Sequence, residues 1–309
     1  MTLEVGVTAW TDRAGWRARA LAEQAAWAEA RGFHSLWLPE HHFGDSRATP
    51  SPLTLLAAAA AGSDTIRLAT TSYLLPIRNP ILAAEEVAVL DQLSGGRLIL
   101  GVGRGIGSEL FDAFELPVAD KRVLFEKNFQ AMLAALRGEP LRDDPANTVT
   151  LAPLPLQKPH PPVWLAAIGP LALRQSGRLG LPYLASPLES LAVLADNHAI
   201  HRRALREASH PEVATVPVMR SIFVADRPAL LSRLAEALQS AVPPSLREKA
   251  GAISDWAILG DRIEVRDKLQ EYIDVLGMTH LVARGQVSRL VVDEQMGSHD
   301  LLLEIAGQL

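Results

Sequence analysis

Two histidines side by side behind a glutamate, in the run SLWLPEHHF, form the densest group of proton-handling side chains in the sequence: Glu40, His41 and His42, followed by Phe43. An imidazole titrates near neutrality and can both give and take a proton, so such a pair suits general acid-base work or hydrogen bonding to a reactive oxygen. A lone histidine is better read as structural, but a second histidine and a carboxylate beside it favour chemistry. A second candidate is RLILGVGRGIG, where alternating glycines end in a turn that presents Arg104. Glycine lets the backbone approach a ligand closely, and a forked guanidinium suits phosphate. The third is PVWLAAIGP. Pro170 reads there as the first position of a helix, which leaves the N–H groups of Ile168 and Gly169 at its N-terminus as anion donors. For the last two segments, a tight turn with a surface arginine and a plain strand-to-helix turn are the structural alternatives.

Other chemistries are excluded by what is missing. The sequence contains no cysteine, which removes disulfides, thiolate metal sites, iron-sulfur clusters and cysteine nucleophiles together. HExxH and HxH patterns are absent, and His160, His198, His201 and His280 are dispersed, so no metal site is expected. Lys and Arg number 30 against 35 Asp and Glu, a formal charge of −5 without any block of like charge, and nucleic acid is not an expected partner. The chain runs straight into LEVGVTAW without signal-peptide character, and the apolar run from Leu53 to Ala61 is far short of the ~20 residues that span a bilayer. No membrane association and a cytoplasmic location are the expectations.

These groups need elements to hold them. Short β-branched or leucine-rich runs alternate with longer alanine-rich stretches, an α/β pattern. The strand candidates are Leu3–Thr8, Ser35–Leu38, Ile66–Tyr73, Leu98–Val102, Val163–Ala167, Leu181–Ala185, Val216–Val224 and His280–Ala283. Eight strands in 309 residues match a (β/α)8 TIM barrel with short insertions, as one domain over residues 1–309. A helix from about Trp16 should stop at Gly32, and another should run from Asn79 and Pro80 to Gly95 with Ile81, Leu82, Val87, Val89, Leu90 and Leu93 as its apolar positions. A doubly wound dinucleotide-binding fold is rejected by its own fingerprint. Neither Gly101 nor Gly103 begins a complete GxGxxG, because Ile106 and Ser108 stand where the third glycine belongs. Two irregular stretches read as insertions: Asp143–Pro162, with a short strand in TVTL before a proline-rich loop, and about Ala241–Asp261. In a parallel barrel all strands end on one rim, so the three candidate segments converge.

Taken together, GFHSLWLPEHHF, IRLATTSYLLPIRNPILAAEEVAVLDQLSGGRLILGVGRGIGSELFDAFEL and PLPLQKPHPPVWLAAIG resemble the bacterial-luciferase-like flavin-dependent monooxygenases. The middle stretch is the most specific, with LP-x-R-x-P, LDxLSxGR and GVGRG in order. The resemblance is good from about residue 1 to 185 and thin beyond. It implies a (β/α)8 barrel, usually dimeric, using reduced FMN or, alternatively, the 8-hydroxy-5-deazaflavin coenzyme. FMN members react with O2 to form a flavin 4a-hydroperoxide and oxidise a small organic substrate, often with flavin from a separate reductase. By position, the resemblance implies that His41 is the active-site histidine with His42 its neighbour, that Arg104 binds phosphate, and that Thr71 and Ser72 lie under the flavin at a non-proline cis peptide. The sequence departs from the family where hydroxyls usually open the fifth helix. It has Ala166-Ala167-Ile168-Gly169-Pro170, which leaves backbone donors and Arg104 and suits a flavin that diffuses in. A deazaflavin-dependent dehydrogenase or reductase is the second reading, and a non-catalytic flavin-binding protein the third. Trp10, Trp37, Tyr73 and Leu75 are candidates for apolar walls, and Arg220 and Arg284 for binding an anionic substrate or cofactor tail.

Overall fold

The computed structural model describes residues 2–10, 16–44, 48–142, 144, 148–242, 251–285 and 292–309. Ten strands occur among them: β1 (Glu4–Thr8), β2 (Ser35–Leu38), β3 (Arg67–Thr70), β4 (Tyr73–Leu74), β5 (Leu98–Gly103), β6 (Val163–Ala166), β7 (Tyr183–Leu184), β8 (Pro217–Val224), β9 (Ala257–Gly260) and β10 (His280–Ala283). All eight expected strands are present within a few residues of their expected bounds. Contacts group the chain into two compact units, one of Met1–Trp10, Ala30–Ser35 and Ala167–Leu309, the other of Thr11–Glu29 and Leu36–Ala166. In the first unit β1, β10, β8 and β9 pair in that order, all parallel. In the second, β3 and β6 flank β5, again parallel, and β4 also pairs with β5. Parallel sheets are covered on both faces, which is why β2, β5 and β8 are buried along their whole length and read as continuous apolar runs.

The structure departs from the sequence expectations in three places. The run Ile66–Tyr73 is broken into β3 and β4 by a cis peptide between Thr71 and Ser72. The short strand expected in TVTL is absent: Thr148–Leu151 is irregular, tied by one backbone bond from Leu141 N to Val149 O (2.8 Å). The insertion at about Ala241–Asp261 contains β9, four residues too short to show alternation, which adds to the edge of β8. The part of that insertion at residues 243–250, like residues 143 and 145–147 of the other, lies outside the described residues.

Local punctuation explains the helices of the second unit. The Asn79 side chain accepts from Ile81 N and Leu82 N, Pro80 opens the helix Pro80–Leu93, and Gly95 follows its end at φ +66°. Of its expected apolar positions Val87 and Leu90 are buried, while Leu82, Val89 and Leu93 are exposed. The LDxLSxGR motif is structural. Asp91 is buried and accepts from Gln157 N (2.9 Å) and Gln157 Nε2 (2.7 Å), while Arg97 donates to the carbonyls of Ile66 and Ser63. The Glu29 carboxylate takes the N–H groups of Asp64, Thr65 and Ile66 in the same turn.

The first unit holds buried histidines on its helices. His198, on the helix Leu191–Glu207, packs edge-on against Tyr183, and His299, on the helix Val292–Ala306, packs edge-on against Phe33. Burial pushes each of these imidazoles down to about 4 from the usual 6.5. Both are therefore neutral in the folded chain at pH 7. Between those two values the unfolded chain binds the extra protons, so stability is complete above 6.5 and falls as the pH drops towards 4, by up to about 1.4 kcal/mol per pH unit for each histidine. The Nε2 of His198 makes no hydrogen bond among the described residues, so phenylalanine can replace the ring without losing one. In urea denaturation, His198→Phe should lose less stability than the wild type between about pH 7.5 and about pH 5; equal losses would refute this account.

Candidate active site

Just beyond β2 the chain stays extended, so Glu40 and His42 share a side and His41 faces the other way. The Glu40 side chain is completely buried and accepts three hydrogen bonds: from His42 Nε2 (2.5 Å), Arg78 Nη1 (2.8 Å) and the backbone N of Leu74 (2.9 Å). A buried carboxylate is tolerable when its lone pairs are filled and a cation balances it, and Arg78 supplies the cation. His41 is exposed, and its backbone forms a bridge with Thr49. The structure thus brings His42, not His41, onto the buried carboxylate.

Arg78 belongs to the LP-x-R-x-P motif. Besides Glu40 it donates to Leu74 O (2.7 Å), and its guanidinium lies 3.9 Å above the Tyr73 ring. Tyr73 donates in turn to Glu86 (2.5 Å). Burial, with Glu86 beside it, raises the Tyr73 hydroxyl well above the usual phenol range, so it stays a donor. Asn128 clamps the same loop by donating to Leu75 O and Arg78 O, both at 3.0 Å. Outside this polar group, His42, Phe43 and Phe114 form an aromatic cluster, His42 edge-on to Phe114 at 5.4 Å and Phe43 6.4 Å from Phe114. Phe43 and Phe114 are exposed, 57% and 39%.

Thr71 and Ser72 carry the non-proline cis peptide that the family resemblance implies. Thr71 N donates to Leu38 O (2.8 Å) and Thr70 Oγ1 to Gly101 O (2.8 Å), which ties this corner to β2 and β5. Ser72 approaches β5 so closely that a Cβ on Gly103 would overlap its Oγ. The next residue, Arg104, is half-buried. Burial first, then the Arg122 guanidinium in the first turn of the helix Lys121–Leu136, holds Arg104 below the usual arginine range. No carboxylate pairs with Arg104 among the described residues. A half-buried guanidinium with a second one near it, and no acid pairing with it among the described residues, has the donor chemistry that suits a phosphate.

Ile168 and Gly169 lie in the other unit. Gly169 is the N-cap residue of the helix Pro170–Arg178 at φ +82°, with Pro170 in the first turn as the sequence indicates. Ile168 is 55% exposed, and a Cβ on Gly169 would meet open space. Trp37, Tyr73 and Leu75 are fully buried core, Trp37 beside Trp164 at 5.0 Å, so they are not exposed walls. Sequence reasoning missed the pairing of Glu40 with Arg78 and the nearness of Arg122 to Arg104. The first two sat in recognised motifs without an assigned task, whereas Arg122 carried no local signal.

A family model described as "Luciferase-like monooxygenase" matches residues 2–305, nearly the whole chain. The chain belongs to the luciferase-like monooxygenase family. It is an oxidoreductase with that family's α/β, TIM-barrel-type fold. The match extends well past residue 185, where the sequence resemblance had become thin. Among its relatives is the 4-hydroxyprotoasukamycin monooxygenase of Streptomyces nodosus subsp. asukaensis, 30% identical over 286 residues, covering 84% of this chain and 71% of that protein. Similar solved structures include the oxygenating constituent of 3,6-diketocamphane monooxygenase from Pseudomonas putida in complex with FMN, with TM-score 0.82, 19% identity and coverage of 100% of this chain and 99% of that one. The coenzyme F420 dependent tetrahydromethanopterin reductase of Methanopyrus kandleri is also similar, with TM-score 0.72, 19% identity and coverage of 100% and 98%. No helix among the described residues is long and apolar enough to cross a membrane.

For this luciferase-like chain, Glu40 is the position where a single change should do most damage. Glu40→Ala leaves the partly buried Arg78 cation without its acid and should cost about 3 kcal/mol. Glu40→Gln keeps an acceptor for Leu74 N and should cost less. Equilibrium urea denaturation measures both, and equal, small losses would show that the carboxylate does not organise the site.

Proposed function

We propose that the chain is a reduced-FMN-dependent monooxygenase that oxidises a small organic substrate with O2. The observation that carries this reading is the half-buried Arg104, which directly follows the close approach of Gly103 to Ser72 beside the Thr71–Ser72 cis peptide and has no acid paired with it among the described residues. A flavin phosphate supplies the missing negative charge, and the residues present fit it. When bound, reduced flavin supplies two electrons to O2, so that one oxygen atom enters the substrate and the other leaves as water. Arg104, with Arg122 near it, would hold the phosphate, and Thr71 and Ser72 would support the ring; in the other unit the Ile168 and Gly169 N–H groups would by themselves be anion donors at a helix start.

The chain's own contribution to the chemistry is proton handling. With Nε2 donating to Glu40, the His42 ring turns Nδ1 away from the carboxylate, where it can exchange a proton with a group at the site. His41, exposed beside it, is the second candidate for that role. Arg78 donates to Glu40 and balances its charge, and the exposed Phe43 and Phe114 rings give the substrate an apolar surface. The absence of hydroxyls at the start of the helix Pro170–Arg178 fits a flavin that comes and goes, delivered by a separate reductase. We take the chain to be a homodimer. Leu82, Val89 and Leu93 lie at i, i+7 and i+11 on one exposed face of the helix Pro80–Leu93 and favour self-association.

Anaerobic titration with reduced FMN and with reduced deazaflavin, followed by admission of O2, tests the reading. Reduced FMN should bind, and Arg104→Ala or Arg122→Ala should each weaken it by about tenfold to a hundredfold, the worth of one charge-assisted hydrogen bond. Binding of deazaflavin alone, with no O2 consumption, would make the chain a dehydrogenase or reductase instead. Leu82→Asp with Leu93→Asp should yield a monomer by analytical ultracentrifugation, and an unchanged mass would remove the proposed dimer face.

A further inference from the structure

Two arginines on neighbouring strands of the first unit have opposite surroundings. The β8–β10 register pairs Arg220 with Ala283, and Arg284 N continues the ladder by donating to Arg220 O (2.9 Å). Arg284 is therefore level with Ser221, and because side chains alternate along a strand, Arg220 and Arg284 leave the sheet on opposite faces. Arg220 enters the helix layer. Its Nε donates to Tyr272 Oη (2.8 Å) on the helix Arg262–Leu276, its Nη1 to Met219 O (2.8 Å) and its Nη2 to Glu189 O (2.7 Å). It is completely buried and its task is structural, so it has no share in ligand binding.

Arg284 lies on the other face, past the C-terminal end of β10. Its one hydrogen bond among the described residues is from Nη1 to Ser221 Oγ, at 3.3 Å, and no carboxylate pairs with it there. Burial pulls its guanidinium below the usual arginine range with no acid to offset it. One strand further, Thr8 ends β1 at the same level, since Val7 pairs with Ala283. Its Oγ1 accepts from Gly285 N (2.7 Å), which leaves the hydroxyl proton to be given elsewhere. A guanidinium offers five N–H donors in a planar fork, of which one is used here, and a half-buried charge without a partner is costly unless a ligand completes it.

We propose that Arg284, with the hydroxyls of Ser221 and Thr8, recognises the carboxylate of an organic substrate. This deepens the monooxygenase reading and rests on it for the word substrate. C-terminal strand ends are where (β/α)8 enzymes carry ligands, and a single planar fork matches a carboxylate, whereas the dianionic flavin phosphate is matched by the paired Arg104 and Arg122. The selected substrates are therefore organic acids, in preference to neutral molecules of the same shape.

The test compares benzoate and hexanoate with their neutral amides, benzamide and hexanamide, by thermal shift and calorimetric titration on the full chain. The acids should stabilise the wild type and the amides should not. Arg284→Met should weaken acid binding at least about tenfold, while Arg104→Met should leave it intact. Arg284→Met also removes a charge that no acid among the described residues pairs with, so its own melting temperature should equal or exceed that of the wild type, which rules out misfolding as the cause. Neither acid binding the wild type, or both binding Arg284→Met as tightly, overturns the inference. So does a loss of reduced-FMN affinity in Arg284→Met as large as in Arg104→Met, because the guanidinium would then serve the cofactor. Acid binding that depends on Arg284 in a chain that binds no flavin would preserve this site and sink the monooxygenase reading.

Discussion

A carboxylate taken out of water must find partners for its oxygens and a balancing charge, and the arrangement around Glu40 follows from that requirement. Leu74 N fixes where the chain goes after the cis peptide, Arg78 supplies the charge, and His42 takes a hydrogen bond that sets its ring orientation. One buried anion thereby relates the segment after β2, the end of β4 and the loop before the helix Pro80–Leu93. Asn128 and Glu86 extend the same network by holding the loop carbonyls and the Tyr73 hydroxyl. The histidine is thus oriented by groups whose first duty is to satisfy one another.

Much of the architecture was legible because parallel strands advertise themselves as short apolar runs and because Asn79, Pro80 and Gly95 punctuate a helix by simple local rules. What was not legible depends on pairing at a distance. Glu40 stands beside two histidines and reads as part of a proton-handling group; only the folded chain shows Arg78, 38 positions on, balancing its charge. Arg122 sits on an exposed turn of a helix and gains meaning only from Arg104. β9 has too few residues to display a period, and Leu82, Val89 and Leu93 are apolar by sequence yet exposed. Arg220 and Arg284 looked equivalent, and the one-residue difference in strand level assigns one to the helix layer and the other to the opposite face.

The shared motifs divide their labour in a way the sequence does not announce. In LDxLSxGR, Asp91 and Arg97 are occupied with Gln157 and with carbonyls of the turn before β3, so the motif builds the scaffold. In GVGRG, by contrast, the arginine is half-buried and left without an acid among the described residues. Motifs of equal strength in sequence comparison can therefore differ completely in whether their charges are spent.

The contact between Gly103 and Ser72 has a consequence for variation. Because a Cβ at one position overlaps the hydroxyl at the other, the two residues behave as one steric unit, although 31 positions separate them. A library that varies either alone explores mostly displaced loops, whereas paired exchange, trading bulk at one site for its loss at the other, opens sequence space that single steps do not reach.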